Sequence, residues 1–328
     1  MCKVSVIVVT HSGGSLLGRC LDALDEQTRR PDEVWVIVSN ANDTATAVVN
    51  RRAHVAALGE NVGFARAANA GFDRANGDLL VLLNDDTQVE PGFLEALRDS
   101  AEGIDQALLQ PRILLADGTG RLDNVGHGLY FDGLNWARGR QAPDGPAFDK
   151  PGSVGVVSGA AFAITRSALE VLGGFDESLE AFGEDADLSL RAMRRGIALQ
   201  YVPKARVLHE LGATYGRYGA RKVFLVERNR VRAAVRSFPV SALPALPVFT
   251  LMRWCAMGFG AVRGSGRAMH STPKATAAAI GGTLAGSWFV ADAVRKRRAD
   301  AAEWRCGERD AWRFLLRERV SLRDLVGP

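Results

Sequence analysis

The residues of this 328-residue chain best suited to chemistry stand in two short acidic clusters, Asn84-Asp85-Asp86 and Glu184-Asp185-Ala186-Asp187, with His209 beyond them. Leu79 to Leu83, just before the first cluster, is a continuous apolar run, the pattern of a strand buried on both faces. At least two carboxylates therefore stand at the carboxyl end of a core strand, the edge where open α/β sheets bind ligands. Adjacent carboxylates repel one another and call for a cation; a hard divalent ion that also contacts phosphate oxygens would supply it. The plainer alternative is an acidic turn capping a helix, because Asn and Asp are common turn residues and Pro91 is expected to start a helix reaching Leu97. The second cluster opens a helix in which Leu188 and Leu190 precede Arg191, Arg194 and Arg195, with Gly196 as the stop. Acids first and bases last suit the helix dipole without any chemistry.

These clusters must be positioned by a regular framework. Val4 to Thr10 reads as a buried strand, His11 to Ser15 as a polar turn, Leu16 to Gln27 as a helix and Val34 to Val38 as a second strand entering the loop from Ser39 to Thr46. That order is a βαβ beginning and implies a parallel sheet. Thr-His-Ser-Gly-Gly-Ser after the first strand lacks the Gly-x-Gly-x-x-Gly of dinucleotide-binding proteins. It also lacks the glycine-rich loop with a basic residue expected of a nucleotidylyltransferase. Glu60 to Phe72 turns at Gly63 and continues as an alanine-rich helix, where Arg66 and Asn69 share a face whose ordinary role is solvation. Residues 117–153, dense in Gly, Asp, Asn and Pro with Tyr130 and Trp136 among them, read as a long binding loop or lid. Val154 to Thr165 reads as a strand of small residues, Gly173 to Gly183 as a loop, and Ala198 to Val202 and Ala205 to Leu208 as two further strands leading into His209.

Taken in order, Val-Ser-Val-Ile-Val-Val-Thr, Asn-Val-Gly-Phe-Ala-Arg-Ala-Ala-Asn, Leu-Asn-Asp-Asp-Thr with Pro91, Gly-Gly-Phe-Asp-Glu, Phe-Gly-Glu-Asp-Ala-Asp-Leu and His209 with Gly212 resemble glycosyltransferase family 2, in its rhamnosyltransferase-like branch. The likeness spans roughly residues 3–220. It implies an α/β GT-A fold, a Rossmann-like, mostly parallel sheet flanked by helices, and an inverting enzyme using a nucleotide-diphosphate sugar, dTDP-L-rhamnose first and a UDP-hexose or UDP-N-acetylhexosamine next. Asp86 and His209 would then hold Mg²⁺ or Mn²⁺, and Asp185 would be the general base. Thr10, Ser39, Gly63, Arg66, Asn69, Asn84 and Asp85 would line the donor. Two positions depart from the family pattern: Ser39 stands where an acid usually contacts the nucleoside, and Asn84 replaces the first acid of the Asp-x-Asp motif. The chemistry needs these parts, because a divalent ion neutralises the leaving diphosphate and a carboxylate deprotonates the acceptor hydroxyl. A catalytically silent nucleotide-sugar-binding scaffold is the alternative of another class, and intact Asp86, Asp185 and His209 speak against it.

Charge is unevenly distributed. Residues 1–216 carry a balance of −9 and residues 217–328 one of +13, giving the net +4. Phe238 to Met252 and Ala275 to Ala291 are uncharged runs, the second followed by Arg295-Lys296-Arg297-Arg298. Such segments read as helices lying on the cytoplasmic membrane surface, where a peripheral enzyme would meet a polyprenyl-linked or glycan acceptor. Residues 1–220 are thus expected to form the catalytic domain and residues 221–328 a helical, membrane-associating region. A nucleic-acid partner is not expected, because the basic stretch lacks interleaved aromatics and known motifs. Four scattered cysteines, Cys2, Cys20, Cys255 and Cys306, suit a reducing cytosol, and no secretory leader is expected at Met1.

Overall fold

The computed structural model describes residues 2–11, 13–39, 49, 52–59, 61–210, 219–262 and 272–326. Its centre is a sheet of β1 (Val4–Thr10), β2 (Glu33–Val38), β3 (His54–Ala57), β4 (Leu79–Asn84), β5 (Thr87–Val89), β6 (Ala107–Leu115), β7 (Leu122–Asn124), β10 (Gly152–Ser153), β11 (Ala161–Thr165) and β12 (Ala198–His209). The main path runs β10-β12-β6-β11-β4-β1-β2-β3, with β5 on β12 and β7 on β6. The pairs β1/β2, β1/β4, β2/β3 and β6/β12 are parallel, and β11 runs antiparallel between β6 and β4.

Alternation along the strands builds two cores. Val4, Val6, Val8, Leu79, Val81 and Leu83 pack on one face with α1 (Ser15–Asp25) and α3 (Phe93–Ala101). Ile7, Val9, Leu80 and Leu82 pack on the other with α2 (Phe64–Phe72), α4 (Arg166–Leu172) and α5 (Glu184–Arg194). Because β1 and β4 are buried on both faces, only their ends are free for chemistry.

Four expectations change. The stretch 117–153 is not a bare loop: it contains β7 and a hairpin of β8 (His127–Leu129) and β9 (Asn135–Ala137). Leu122, Val125, Leu129 and Leu134 are buried, which gives this glycine-rich segment a core of its own. The small-residue strand begins only at Ala161. Residues 198–209 form one strand with a bulge between Val202 and Arg206, so Lys204 interrupts the apolar pattern without ending the strand. The helix after Pro91 starts at Phe93 and continues to Ala101.

Beyond β12 the chain is helical: α6 (Ala220–Ser237), α7 (Leu246–Val262), α8 (Pro273–Trp288), α9 (Val290–Asp300), α10 (Glu308–Arg317) and α11 (Leu322–Val326). The opposite charges of the two parts of the chain meet here. Arg228 pairs with Glu180, Arg236 with Asp176 and Asp187, and Lys296 with Asp176. Conversely, Arg194 reaches Glu308 and Arg195 reaches Glu303. In the interior, Arg253 donates to Asp132 and to both oxygens of Glu227, which also accepts from Arg230. Burial works against the charge on Glu227, but Arg253 and Arg230 hold its carboxyl down at about 2. Charges so deep in the structure persist because each has partners.

Candidate active site

The carboxyl ends of β1 and β4 lie side by side, with Val9 opposite Asn84. Thr10 donates its hydroxyl to Asp85 and accepts from the Gly13 amide at 2.8 Å, so the turn after β1 and the acidic turn after β4 are fastened together. Burial, reinforced by the charge of Asp86, raises the Asp85 carboxyl to about 6 despite the Thr10 hydrogen bond. The Ser39 amide donates to the Thr10 carbonyl at 2.9 Å, which places the end of β2 beside them.

Asp86 faces β12. It is 9% exposed, and its Oδ1 accepts no hydrogen bond. His209 Nε2 stands 3.4 Å from that oxygen. The far side of the imidazole donates from Nδ1 to Asp123 Oδ2 at 3.0 Å, which fixes the ring with Nε2 toward Asp86. Burial would lower the pKa of His209, but the hydrogen bond to Asp123 and the negative charges of Asp123 and Asp86 raise it to about 9. The register explains the meeting: His209 pairs with Thr87 of β5, directly after the acidic turn.

Asp185 comes from another direction, in the first turn of α5. The chain entering this helix takes left-handed backbone at Glu180 (φ 65°), Phe182 (φ 61°) and Gly183 (φ 105°), a conformation that non-glycine residues rarely adopt. Asn229 of α6 holds it there, donating to the carbonyls of Leu179, Ala181 and Phe182. Half-buried Asp185 accepts the Gly159 amide on Oδ2 at 3.1 Å and the Ala186 amide on Oδ1 at 2.8 Å. Glu184 beside it is buried, its Oε2 has no hydrogen-bond partner, and burial with the charge of Asp185 lifts it to about 8. Asp187 belongs to a different environment, fully buried against Arg191 at 2.7 Å and Arg236 at 3.2 Å.

The expected donor-side residues separate. Thr10, Ser39, Asn84, Asp85, Asp86 and His209 gather at one sheet edge. Gly63 (φ 82°) starts α2 under the Glu180 carbonyl, close enough that a side chain at this position would crowd that oxygen. Asn69 braces this turn: its amide donates to Phe175 O and Glu177 and accepts from Phe175 N. Arg66, largely exposed, lies 3.7 Å from Glu177. Gly212 lies outside the described residues, as does most of the loop after Ser39. The sequence reading missed Asp123, which lies in the stretch taken as a loop. It also missed Asn229 in the tail, and nothing in the local pattern of either residue marks it.

Asp86 and His209 suit a hard divalent ion. The buried, unbonded Asp86 Oδ1 is a ready oxygen donor, and a cation there would replace the charge His209 carries between its two carboxylates. Among the described residues no group of three or more His, Cys, Asp or Glu is arranged to hold a metal unaided. Such a site fits an ion that completes its shell with water and substrate phosphate, the habit of Mg²⁺ and Mn²⁺.

Comparison with known proteins identifies the family and the fold. The profile of a family described as "Glycosyltransferase like family 2" matches residues 2–235, through the end of α6. An N-acetylglucosaminyl-diphospho-decaprenol L-rhamnosyltransferase of Mycobacterium tuberculosis is 31% identical over 240 residues, 65% of this chain and 77% of that protein. A pre-mycofactocin glycosyltransferase from the same species is 31% identical over 199 residues, 60% of this chain and 40% of that protein. Solved structures share the fold at low identity. GalNAc-T7 with UDP, GalNAc and Mn²⁺ superposes with a TM-score of 0.58 at 19% identity, over 84% of this chain and 52% of that one. TarS 1-349 of S. aureus with UDP-GlcNAc gives 0.56 at 14%, over 95% and 92%. Motifs, sheet and matched profile together place the chain in glycosyltransferase family 2, as a GT-A glycosyltransferase of the rhamnosyltransferase-like kind.

Proposed function

We propose that this glycosyltransferase is inverting and metal-dependent, and that it moves L-rhamnose from dTDP-L-rhamnose to a lipid-linked glycan acceptor at the cytoplasmic face of the membrane. The observation that carries the reading is the placement of the two acid groups. Asp86, with an unbonded buried oxygen, sits at the end of β4, and Asp185 is fixed separately by the Gly159 amide. Asp86 and His209 hold the ion, which when bound neutralises the diphosphate leaving group. Thr10 keeps Asp85 in place beside Asp86. Asp185 Oδ2 takes the proton of the acceptor hydroxyl as that oxygen attacks, and a single displacement with one base inverts the anomeric centre. The donor and acceptor follow the mycobacterial relative, whose name specifies L-rhamnose and a decaprenyl diphosphate-linked N-acetylglucosamine. Nucleotide release measured across dTDP-L-rhamnose, UDP-hexoses and UDP-N-acetylhexosamines, with N-acetylglucosaminyl-diphospho-decaprenol as acceptor, tests this. Fastest release from a UDP sugar would replace the donor and keep the mechanism.

The helical region supports membrane contact by burial rather than by charge. Of the basic cluster, Lys296 binds Asp176, Arg297 donates to the Val235 and Phe238 carbonyls, and exposed Arg295 pairs with Asp292. Apolar side chains remain on the surface: Val248, Leu251 and Met252 along one turn of α7, and Ile280, Leu284 and Trp288 along α8, with Trp288 89% exposed. Val240–Gly258 is long and apolar enough to cross a membrane, and so is the pair Pro273–Trp288 and Val290–Glu303, bent by 52°. Arg253 ties the first of these to Asp132 and Glu227 of the buried network, which favours a helix lying on the bilayer. The protein is expected to sediment with anionic vesicles, and salt should release it only in part, because apolar burial is not screened. Leu251→Glu with Trp288→Glu should abolish sedimentation; unchanged sedimentation of that variant would remove the surface from the argument.

A further inference from the structure

His127 is one of five histidines in the chain and has no part in the machinery above. It opens β8, and its backbone exchanges hydrogen bonds with Val156, His127 N donating at 2.8 Å and Val156 N at 3.0 Å. The segment starting at Val156 runs straight to the base. Val157 N donates to Ser189 of α5, Ser158 N donates to Gln110, and Gly159 N donates to Asp185 Oδ2. A short rigid segment therefore connects His127 with Asp185, and the charges of Asp185 and Asp123 both act on the imidazole.

The tautomer follows from the neighbouring strand. Asn135 of β9, one of the residues crossing from the hairpin's other arm, has its Nδ2 3.2 Å from His127 Nδ1. An amide nitrogen only donates, so Nδ1 must accept, and the single proton of a neutral ring resides on Nε2. Burial lowers the pKa of His127, which keeps the ring neutral around pH 7. His127 is only partly buried, and among the described residues its Nε2–H has no hydrogen-bond partner. The structure thus presents one oriented donor joined, through the segment from Val156 to Gly159, to the carboxylate that, on the reading above, receives a sugar hydroxyl proton. A pyranose offers vicinal hydroxyls, so a donor next to the base can bind one oxygen while the base takes the proton of its neighbour.

We propose that His127 is an acceptor-binding residue whose Nε2–H donates to a hydroxyl of the acceptor sugar adjacent to the one that attacks, with Asn135 as the positioning residue that sets its tautomer. This rests on the transferase reading with Asp185 as base.

The test compares transfer to N-acetylglucosaminyl-diphospho-decaprenol with transfer to water, both with dTDP-L-rhamnose. One lost hydrogen bond is worth about 1 kcal/mol, so His127→Ala is expected to raise the acceptor KM about five- to tenfold. The donor KM and the slow release of nucleotide to water should not change. His127→Gln, which retains an N–H donor on a longer arm, should recover part of the acceptor affinity and guards against misfolding of the alanine variant. Asn135→Leu should act in the same direction as His127→Ala but less strongly. An unchanged acceptor KM in both His127 variants would overturn the proposal. So would an equal rise in the donor KM, because a purely structural defect would affect both substrates. If the wild-type protein releases no nucleotide from any donor in the panel, the transferase mechanism itself falls, and this inference with it; if the wild type is active and only the His127 result fails, the mechanism stands.

Discussion

Asp185→Asn is expected to lower turnover by about 10²-fold or more, the scale of general-base catalysis, with the fold and donor affinity preserved. The asparagine oxygen can keep one of the two amide bonds, from Gly159 or from Ala186, while its NH2 faces the other donor, so the turn should hold its shape at a cost of about 1 kcal/mol. Asp187→Asn provides the contrast, because all three acids of this helix turn would look alike to a helix dipole. Asp187 is buried between Arg191 and Arg236, and removing its charge leaves two guanidinium groups short of a partner. Breaking a buried ion pair costs about 3–5 kcal/mol when one partner is removed, and an isosteric amide softens that. The two variants should therefore separate: Asp185→Asn slow but stable, Asp187→Asn less stable but, once folded, nearly as fast. Turnover under saturating metal together with thermal unfolding of both proteins checks this. Equal, modest losses of turnover would reduce Asp185 to a capping acid.

Chelation of divalent ions should abolish transfer, and Asp86→Ala should remove most activity with the fold intact. The expectation rests on the one buried carboxylate oxygen at the sheet edge that accepts no hydrogen bond. Asp86 also balances the charge on His209, and Asp123 remains to do so after substitution, so stability should fall only modestly. Mn²⁺ titration followed by nucleotide release would show saturation in the wild type and none in Asp86→Ala. Full turnover in excess chelator would refute metal dependence and leave His209 as a protonated group acting on the phosphates.

Some of this molecule was legible in its residues because the signals are local. Val4–Thr10 and Leu79–Leu83 are uninterrupted apolar runs, and such a run can only be a strand with both faces covered, so the acids after Leu83 had to emerge at a sheet edge. The pairing of Thr10 with Asp85 follows almost directly from two parallel strands ending together. Other features depend on which distant segments meet, and no local period encodes that. Asn69 meets the turn at Phe175, more than a hundred residues on, which no local pattern foretells. Asp123 and His127 lie in a glycine-rich stretch whose composition suggests a loop; only docking on β6 and on Val156 brings them to the site. The charge asymmetry is the clearest case. Counted along the chain, −9 and +13 suggest an anionic partner outside the protein. In the folded molecule Arg228, Arg236 and Lys296 meet Glu180, Asp176 and Asp187 on the loop and helix that carry Asp185. The sequence by itself determined the core strands, the family and the acids proposed for the chemistry. Only the tertiary structure decided that much of the basic tail holds the loop and helix carrying Asp185 in place, because ion pairs form between whichever charges the fold brings within reach, whatever their separation along the chain.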